Sequence, residues 1–390
     1  MGEHRRAGGR RGVSRGLLVL AVAVVVVVAL GFLWVLLGDR INEQGKDAAA
    51  RCVEGDLSVS IVSDPGLAAP LKAVADKYNK TRPTERDRCI TIEVRPGDAK
   101  VTLDGLTGDW DTASRGQFPA AWIPQSSVWS SQLIAARPDV VDGSPSSLVT
   151  SPVVLAIPAA AAEAMDGDVG WIELPTLQRS AKAMDDLGLR GWGELRMAMP
   201  VGPQSDATML AAQAIATEVS RTPSGPLSPE DAASPLVSST LRAMLASAPA
   251  TDLGSSESGV RALQQQADPA TGSIHAVPIT EQQLYAITKD DANSAVVALF
   301  PSGPTPMADF PVVEMTGDQV DAAQRDAVGA FIDYVHDPEQ ISTITSLGFR
   351  GAGQLPPATS TVTFPVTPTP MPMPSPEAQN AITEVLTRRS

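Results

Sequence analysis

The stretch LSVSIVSDPGLAAPLKAVADKY, residues 57–78, decides the fold class. Its first six residues alternate apolar and polar side chains, which is typical of a strand. After the turn SDPG, apolar side chains recur at helical spacing, at Leu67, Leu71, Val74 and Tyr78. The stretch therefore predicts a strand, a turn and a helix, in that order.

The turn of this unit supplies the first candidate binding groups. Asp64 is well placed as the N-cap of the helix, with Pro65 at the first helical position. The backbone N–H groups of such a helix start, beside Ser63 and Asp64, can hold an anion or a carboxylate. Ordinary capping explains the same residues, so both interpretations stay open.

The same unit recurs in the middle of the chain. LRMAM, residues 195–199, leads through PVGPQSDAT to a helix from about Ala207 to Val219. Ser205 or Asp206 would cap this helix. The chain therefore contains a second predicted strand, turn and helix.

A third copy begins at SIHAV, residues 273–277, and continues into PITEQQLYAI. Thr280 is its expected cap, and Glu281 lies in the first helical turn. Repeated units of this kind indicate an α/β fold with largely parallel sheets. In such folds ligands bind at the carboxyl ends of the strands.

The N-terminal residues differ from the rest of the chain. Five arginines precede the apolar run GLLVLAVAVVVVVALGFLWVLLG, residues 16–38, which as a helix of about 35 Å can span a bilayer. The arginines place the N-terminus in the cytoplasm and residues 41–390 outside. A signal peptide that is cleaved late, a buried soluble helix and a lipoprotein anchor are the alternatives.

The charge and the cysteines describe the exported part. The chain has a net charge of −14, and the excess of acidic residues follows the apolar run, which argues against nucleic acid and acidic lipid as partners. Cys52 and Cys89 each precede a strand-like run, and neighbouring parallel strands would bring their starts together. In an oxidising compartment we expect a disulfide, with two unpaired thiols as the alternative. The 3 histidines are isolated, so no metal or other cofactor is expected.

Two extended segments lack helical periodicity, SPVVLAIP at residues 151–158 and a longer one at residues 294–313. Both are interpreted as crossings between two lobes. A helix with one apolar face follows the second crossing, from about Gln319 to His336. The chain is therefore expected to return to the lobe in which it began.

This order of elements resembles the type II periplasmic binding protein fold, and specifically the bacterial extracellular solute-binding proteins associated with von Willebrand factor A domains. PAAWIPQSSVWSSQL, residues 119–133, is similar to that family's PDVWIPDSSxW signature. SPVVLAIP is similar to its first hinge strand, and AFIDYVHDPEQISTITSLGFR, residues 330–350, to its closing helix and GFR. The resemblance covers roughly residues 52–355 and does not include an A domain.

The resemblance implies a two-lobed α/β fold with a hinge of two crossing strands, preceded here by one N-terminal transmembrane helix. The predicted segments are a cytoplasmic basic tail (1–15), a transmembrane signal anchor (16–38), a linker (39–51), the first part of lobe 1 (52–150), lobe 2 (151–298), the return of lobe 1 (299–355) and a Pro-rich C-terminal tail (356–390). We expect the tail to be extended and poor in core residues. Residues 221–258 read as an insertion or long loop with one helix, at about 237–247.

The resemblance also implies where a ligand would lie. It places Trp122 and Pro124 beside the cleft, where a tryptophan can form a wall of the pocket, although packing inside the lobe is the alternative and is favoured for Trp129. Helix starts at three places would converge on the same cleft. The candidate ligand-binding residues are Ser63, Asp64, Trp122, Pro124, Ser126, Ser205, Thr208 and Glu281.

The sequence departs from the family pattern at two positions. Ala121 and Gln125 stand where the pattern has aspartates. A protein without these carboxylates binds a different ligand, binds weakly or serves as a scaffold. Ser126, Ser127 and the backbone amides of that helix start remain usable for an anionic or neutral solute.

Motifs for catalysis are missing from the sequence. It contains no H-E-x-x-H, no G-x-S-x-G and no P-loop glycine pattern. The leading hypothesis is therefore a non-catalytic, membrane-anchored extracytoplasmic protein that binds a small-molecule solute between two lobes. The alternative is an envelope scaffold with a degraded cleft and an envelope protein as its partner, and an enzyme is a distant third.

Overall fold

The computed structural model describes residues 52–387, apart from residues 166, 168, 223, 251, 252, 367 and 368. The predicted cytoplasmic tail (1–15), the transmembrane segment (16–38) and the linker (39–51) lie outside the described residues. Within the described part, no helix is long and apolar enough to cross a membrane.

The regular elements follow one another along the whole described chain. The strands are β1 (Asp56–Ser63), β2 (Thr84–Glu85), β3 (Arg88–Pro96), β4 (Ala121–Ile123), β5 (Ser146–Ser147), β6 (Ser151–Pro158), β7 (Val277–Thr280), β8 (Val296–Leu299), β9 (Met307–Ala308) and β10 (Pro311–Glu314). The helices are α1 (Pro65–Lys80), α2 (Ala99–Thr107), α3 (Thr112–Arg115), α4 (Ser127–Ala136), α5 (Ala159–Met165), α6 (Leu174–Leu177), α7 (Ala183–Asp186), α8 (Asp206–Val219), α9 (Pro229–Ala232), α10 (Pro235–Ser247), α11 (Ser256–Gln265), α12 (Glu281–Thr288), α13 (Ala322–His336), α14 (Pro338–Thr345) and α15 (Pro376–Thr387).

The first sheet has the order β3-β1-β4-β10-β5 and forms the centre of lobe 1. β1 runs parallel to β4, with Ile61 opposite Ala121, whereas β10 runs antiparallel to β4. The predicted unit at residues 57–78 is confirmed: β1 leads into α1, which Asp64 caps and Pro65 begins. Local periodicity and capping chemistry therefore specify this part of the lobe.

The second sheet forms the centre of lobe 2 and has the order β7-β6-β8, with β9 also paired to β6. The expectation of largely parallel sheets is wrong here, because β6 runs antiparallel to β7, β8 and β9 alike. The chain leaves the first sheet between β5 and β6 and returns between β9 and β10. β8 and β9 carry the chain back beside the crossing strand β6, so they run in the opposite direction to it. β7 leads into α12 and is antiparallel to β6 by its own pairing, with Val153 opposite Thr280.

Two predicted strands of lobe 2 also differ from the structure. LRMAM (195–199) forms only a single bridge, between Met197 and Ala276, in place of a strand. The strand expected at 273–277 begins only at Val277 and continues to Thr280. Here the backbone of 195–199 pairs with residues 275–276: the amide of His275 donates to the carbonyl of Arg196, and the amide of Ala198 donates to that of Ala276, so no longer ladder forms among the described residues.

A small unit is formed by residues 52–56 and 84–89. β2 and the start of β3 make a tight hairpin, whose central residues Arg86 and Asp87 have φ angles of 47° and 62°. Positive φ at both central positions is the geometry of a type I′ turn, which matches the twist of two antiparallel strands. Cys52 and Cys89 are joined by a disulfide in this unit, so the predicted bridge is confirmed.

The Pro-rich segment that follows residue 351 packs against the lobes. Val362 is fully buried in the core of lobe 2, and the carbonyl of Thr361 accepts a hydrogen bond from the amide of Ala298. In α15 the fully buried side chains are Ala378, Ile382 and Leu386. The expectation that this tail is poor in core residues is wrong, because its few apolar residues recur every four positions and share one helix face.

Candidate functional site

A cavity of about 640 Å³ lies between the two lobes. Lobe 1 contributes residues of α2 and α4, and lobe 2 contributes the loop 201–205 and the start of α8. The third wall is α15, near the C-terminus. We call this space the interlobe cavity.

Asp64 lies at the edge of the cavity and connects the lobes. Its Oδ1 accepts a hydrogen bond of 2.8 Å from the amide of Gly66, which caps α1. Its Oδ2 accepts one of 2.7 Å from Nε2 of Gln204, in lobe 2. Burial raises the pKa of Asp64 to about 6, although the hydrogen bonds from Gln204 and Gly66 act in the opposite direction.

Asp206 makes the corresponding connection from lobe 2. It is the first residue of α8, and its Oδ2 accepts hydrogen bonds of 2.8 Å from Oγ of Ser126 and from Nε1 of Trp129. Burial is the main cause that raises the pKa of Asp206 to about 7; the hydrogen bonds from Trp129 and Ser126 oppose this shift, and the nearby carboxylates of Asp64 and Asp98 add to it. The cleft floor is therefore bridged by polar contacts of the chain itself.

The start of α4 is also occupied by the chain's own carboxylate. Oδ1 of Asp309 accepts a hydrogen bond of 2.7 Å from the amide of Ser127, and burial raises the pKa of Asp309 to about 6. The hydroxyl of Ser126 is engaged by Asp206. The groups that the sequence left usable for an anionic solute therefore already have partners.

Of the eight predicted ligand-binding residues, Asp64 and Ser205 line the interlobe cavity. Ser205 is the N-cap residue of α8, but its side chain makes no capping hydrogen bond. The other six are buried in the lobes, outside the lining: Ser63, Trp122, Pro124, Ser126, Thr208 and Glu281. The hydroxyl of Thr208 is buried and has no hydrogen-bond partner among the described residues.

The two tryptophans of the 119–133 stretch lie in different surroundings. Trp122 is fully buried in β4, which is flanked by β1 and β10, so its ring packs in the core of the lobe. Trp129 packs half-buried against the core, as favoured from the sequence, and it also lines the cavity and donates its N–H to Asp206. The expected placement of Trp122 as a pocket wall is corrected to its packing alternative, since the side chain is 0% exposed and lies outside the lining.

Glu281 is not free to meet a solute. Its carboxylate accepts hydrogen bonds of 2.7 and 2.8 Å from Nε and Nη2 of Arg350, and its side chain is 0% exposed. Arg350 also donates to the carbonyl of Pro365 in the C-terminal segment. Burial raises the pKa of Glu281, and the Arg350 guanidinium opposes that shift. Glu281 therefore belongs to a buried ion pair that fixes Arg350, the last residue of the segment 330–350.

Several residues of the lining were missed by reasoning from the sequence. Asp98 caps α2, with its Oδ1 accepting from the amide of Val101 at 2.9 Å, and lies two residues after the end of β3. β3, the turn at Asp98 and α2 together form a further strand, turn and helix, and the run ITIEVRPGDAK shows this pattern in the sequence. The contribution of α15 to the lining could not be predicted in this way, because the sequence of a helix does not indicate which part of the lobes it packs against.

The described part of the lining is acidic. Among the described residues its basic side chain is Lys100, whose Nζ lies 2.9 Å from the Asp104 carboxylate one helical turn away. The described carboxyl groups that line it are Asp64, Asp98, Asp104, Asp206 and Glu384. Because the pKa values of Asp64 and Asp206 are raised to about 6 and about 7, the negative charge of this lining increases as the pH rises through that range.

Two α/β lobes around an interlobe cavity define the class of periplasmic-type binding proteins. Two solved structures share the fold: the ferric binding protein from Campylobacter jejuni, with a TM-score of 0.55 and 13% identity over 84% of this chain and 97% of that one, and iron-bound HitA from Pseudomonas aeruginosa, with 0.56 and 12% over 85% and 97%. Residues 59–350 match the model of the bacterial extracellular solute-binding proteins, and the chain belongs to this family. Proteins of this family and fold bind substrates and are typically non-catalytic.

Curated relatives of this chain come from Mycobacterium tuberculosis. An uncharacterized protein of strain H37Rv, and its counterpart in strain CDC 1551, are each 35% identical over 367 residues. These residues are 94% of this chain and 53% of each relative. The chain therefore spans about half the length of the curated relatives that it matches.

The buried ion pair yields a prediction about stability. Replacing Arg350 with Leu leaves the Glu281 carboxylate buried without its partner, which should lower the free energy of unfolding by about 3 to 5 kcal/mol. Urea denaturation at pH 7 measures this change. Arg137→Leu is the matched control, because its pair with Asp139 is exposed and should be worth less than about 1 kcal/mol. Equal losses in the two variants would contradict the assignment.

Asp206 yields a prediction about pH. Its pKa is about 7 in the folded protein against an ordinary value of 3.8, so the stability linked to its protonated form is present at low pH and is lost as the pH rises from about 4 to about 7. Asp206→Asn removes this loss while keeping an acceptor for Ser126 and Trp129. The difference in free energy of unfolding between the variant and the parent should therefore be larger at pH 8 than at pH 5, by about 2 to 3 kcal/mol in favour of the variant.

Denaturation curves at the two pH values measure this difference. Asp76→Asn serves as the control, since Asp76 is exposed on α1, pairs with Lys72 and lies outside the cavity lining. A gain from Asp206→Asn that is the same at both pH values would show that the carboxyl group titrates in its ordinary range.

Proposed function

We propose that this chain is a membrane-anchored, extracytoplasmic solute-binding protein that holds a small ligand between its two lobes without catalysis. The observation that carries the proposal is the interlobe cavity of about 640 Å³, walled by both lobes. Ligand pockets of small molecules have volumes of about 300 to 1,000 Å³. Membership in a solute-binding family supports the same use of the cleft.

The two similar solved structures are a ferric binding protein and an iron-bound protein. Among the described residues, no group of three or more His, Cys, Asp or Glu side chains is placed to hold a metal ion. The ligand of this chain is therefore inferred from the residues that line its own interlobe cavity.

A second candidate function has an observation of its own. The lobes are bridged across the cleft floor by the bonds from Gln204 to Asp64 and from Ser126 to Asp206. A cleft that closes on its own contacts suits an envelope scaffold whose partner is another envelope protein. The predicted link of this family to von Willebrand factor A domains remains a prediction that bears on this alternative.

Solute binding can be tested with the full chain in detergent. A ligand that binds the folded protein raises the melting temperature, so thermal-shift screening against amines, amino acids, sugars and oxyanions should give at least one ligand. Trp129→Phe should then weaken its affinity by about tenfold, because the ring lines the cavity and its N–H holds Asp206. Isothermal titration calorimetry measures this loss.

Trp110→Phe is the control, since Trp110 packs against Phe118 outside the cavity lining. Equal affinities of the Trp129 and Trp110 variants would move the site out of the interlobe cavity. A parent protein that no solute stabilises would favour the scaffold.

The membrane anchor is tested separately. A periplasmic-type reporter fused after Ser390 should be active only in the full chain and inactive when residues 16–38 are deleted, because five arginines precede this apolar run. Reporter activity is the measurement. A cytoplasmic reporter at the same position that is active in the full chain would reverse the topology.

A further inference from the structure

The segment that follows Arg350 contacts both lobes. It lies beyond residues 59–350, the part matched by the family model. We call its described residues 359–366 and 369–387 the C-terminal strap. The strap ends in α15, which packs against α4 of lobe 1 and against α8, α9 and α10 of lobe 2. A part of the chain outside the family match therefore connects the two lobes.

The first half of the C-terminal strap is fixed to lobe 2. The amide of Ala298, in β8, donates a hydrogen bond of 2.9 Å to the carbonyl of Thr361. Val362 is fully buried in the core of lobe 2. The ring of Phe364 lies 5.2 Å from the ring of Tyr285, in α12, at an interplanar angle of 65°. Because backbone pairing and buried apolar surface hold this half together with lobe 2, we expect it to stay with lobe 2 when the lobes separate.

The middle of the strap runs beside the chain that returns to lobe 1. Thr305 lies between β8 and β9, and its amide donates to the carbonyl of Thr369 at 3.0 Å. The carbonyl of Thr305 accepts a hydrogen bond of 2.7 Å from the amide of Met371. Two residues further on, Sδ of Met373 accepts from the hydroxyl of Ser127, at the start of α4, at 3.6 Å. The strap therefore follows the crossing between the lobes and reaches lobe 1 there.

The helix α15 at the end of the strap has two faces with different surroundings. Ala378, Ile382 and Leu386 recur every four positions and are fully buried in the main core. Asn380 and Thr383 line the interlobe cavity, so the same helix is also a wall of this space. Lobes joined by crossing strands separate by a hinge movement, and an element that is packed against both of them must then leave one. Lobe 2 holds α15 through three helices, so the contact with α4 is the one that opens.

We propose that the C-terminal strap controls access to the interlobe cavity: α15 is docked on α4 in the closed state and is released from α4 when the cavity opens. The inference concerns the regulation of the proposed site, and it rests on the proposed function for the role of the cavity. The strap stays with lobe 2 in both states, and a solute enters or leaves between α4 and α15. Tight docking of α15 therefore slows the exchange of solute, and loose docking speeds it.

The distance between the lobes tests this proposal without any solute. Nitroxide labels on Val101→Cys, in α2 of lobe 1, and on Glu257→Cys, in α11 of lobe 2, report this distance by double electron–electron resonance on the full chain in detergent. Both native side chains are exposed, and neither belongs to the strap. Cys52 and Cys89 are joined in a disulfide, so the label does not react with them. The parent should give one main population, at the closed distance.

Ile382→Ala is the test variant. It removes buried side-chain volume from α15, so the population at longer distance should increase by about tenfold or more over that of the parent. Ile344→Ala is the matched control: it makes the same change at a fully buried position of α14, which packs against α1 and α13 in lobe 1. It should lower the stability of the fold without lengthening the distance between the lobes.

A second variant removes α15 by ending the chain at Ser375. Its main population should lie at the longer distance, because the contact with α4 is lost entirely. The pair of isoleucine variants decides the case even where the shortened chain fails to fold.

The outcomes separate this inference from the proposed function. Equal distances in the parent and in both isoleucine variants would overturn the strap, and so would an equal lengthening by the two substitutions, which would show a general loosening of the fold. In both cases solute binding itself would stand. A parent that no solute stabilises, but whose lobes separate only in the Ile382 variant, would contradict the proposed function and still support the closure of the cavity by α15.

Discussion

The fold of this protein depends on how buried carboxylates are accommodated where the lobes meet. Asp206 receives its hydrogen bonds from Ser126 and Trp129 of the opposite lobe, and Asp64 receives one from Gln204. A carboxylate removed from water either finds donors or takes up a proton, and these two do both in part. The bridges between the lobes at the cleft floor are therefore polar and respond to pH.

The interlobe contacts are of two kinds with similar energies. A hydrogen bond contributes about 1 kcal/mol net, and about 1.5 to 3 kcal/mol where one partner is charged, so each bridge at the cleft floor holds the lobes by a modest amount. Full burial of a side chain such as Ile382 or Leu386 contributes about 1.5 to 3 kcal/mol, which is shared between the contacts of α15 with lobe 1 and with lobe 2. The closed arrangement therefore depends on the bridges at the cleft floor as well as on α15.

Local patterns in the sequence specified the local elements. The alternation and helical spacing of residues 57–78 and the cap at Asp64 were readable because each depends on neighbours in sequence. What could not be read depends on distant partners. Glu281 meets Arg350, 69 positions away, and Trp129 meets Asp206, 77 positions away.

The structure also shows where the two departures from the family pattern, Ala121 and Gln125, lie. Ala121 and Gln125 are 0% and 1% exposed, so carboxylates at these positions would have entered the core of lobe 1. The acidity of the cavity comes instead from Asp64, Asp98 and Asp206, which other segments bring to it. Missing family aspartates therefore say little about whether this cleft binds a solute.

The insertion at residues 221–258 and the C-terminal tail bury apolar side chains of each other. The insertion contains α9 and α10, and the buried side chains Val237 and Leu241 of α10 belong to the same core as those of α15. Neither segment alone could bury its apolar face. Because α8, α9 and α10 all belong to lobe 2, α15 is fixed to that lobe on three sides and touches lobe 1 through α4. Opening of the cleft would therefore break the contact with α4 first, and α15 would move with lobe 2 as its outer wall.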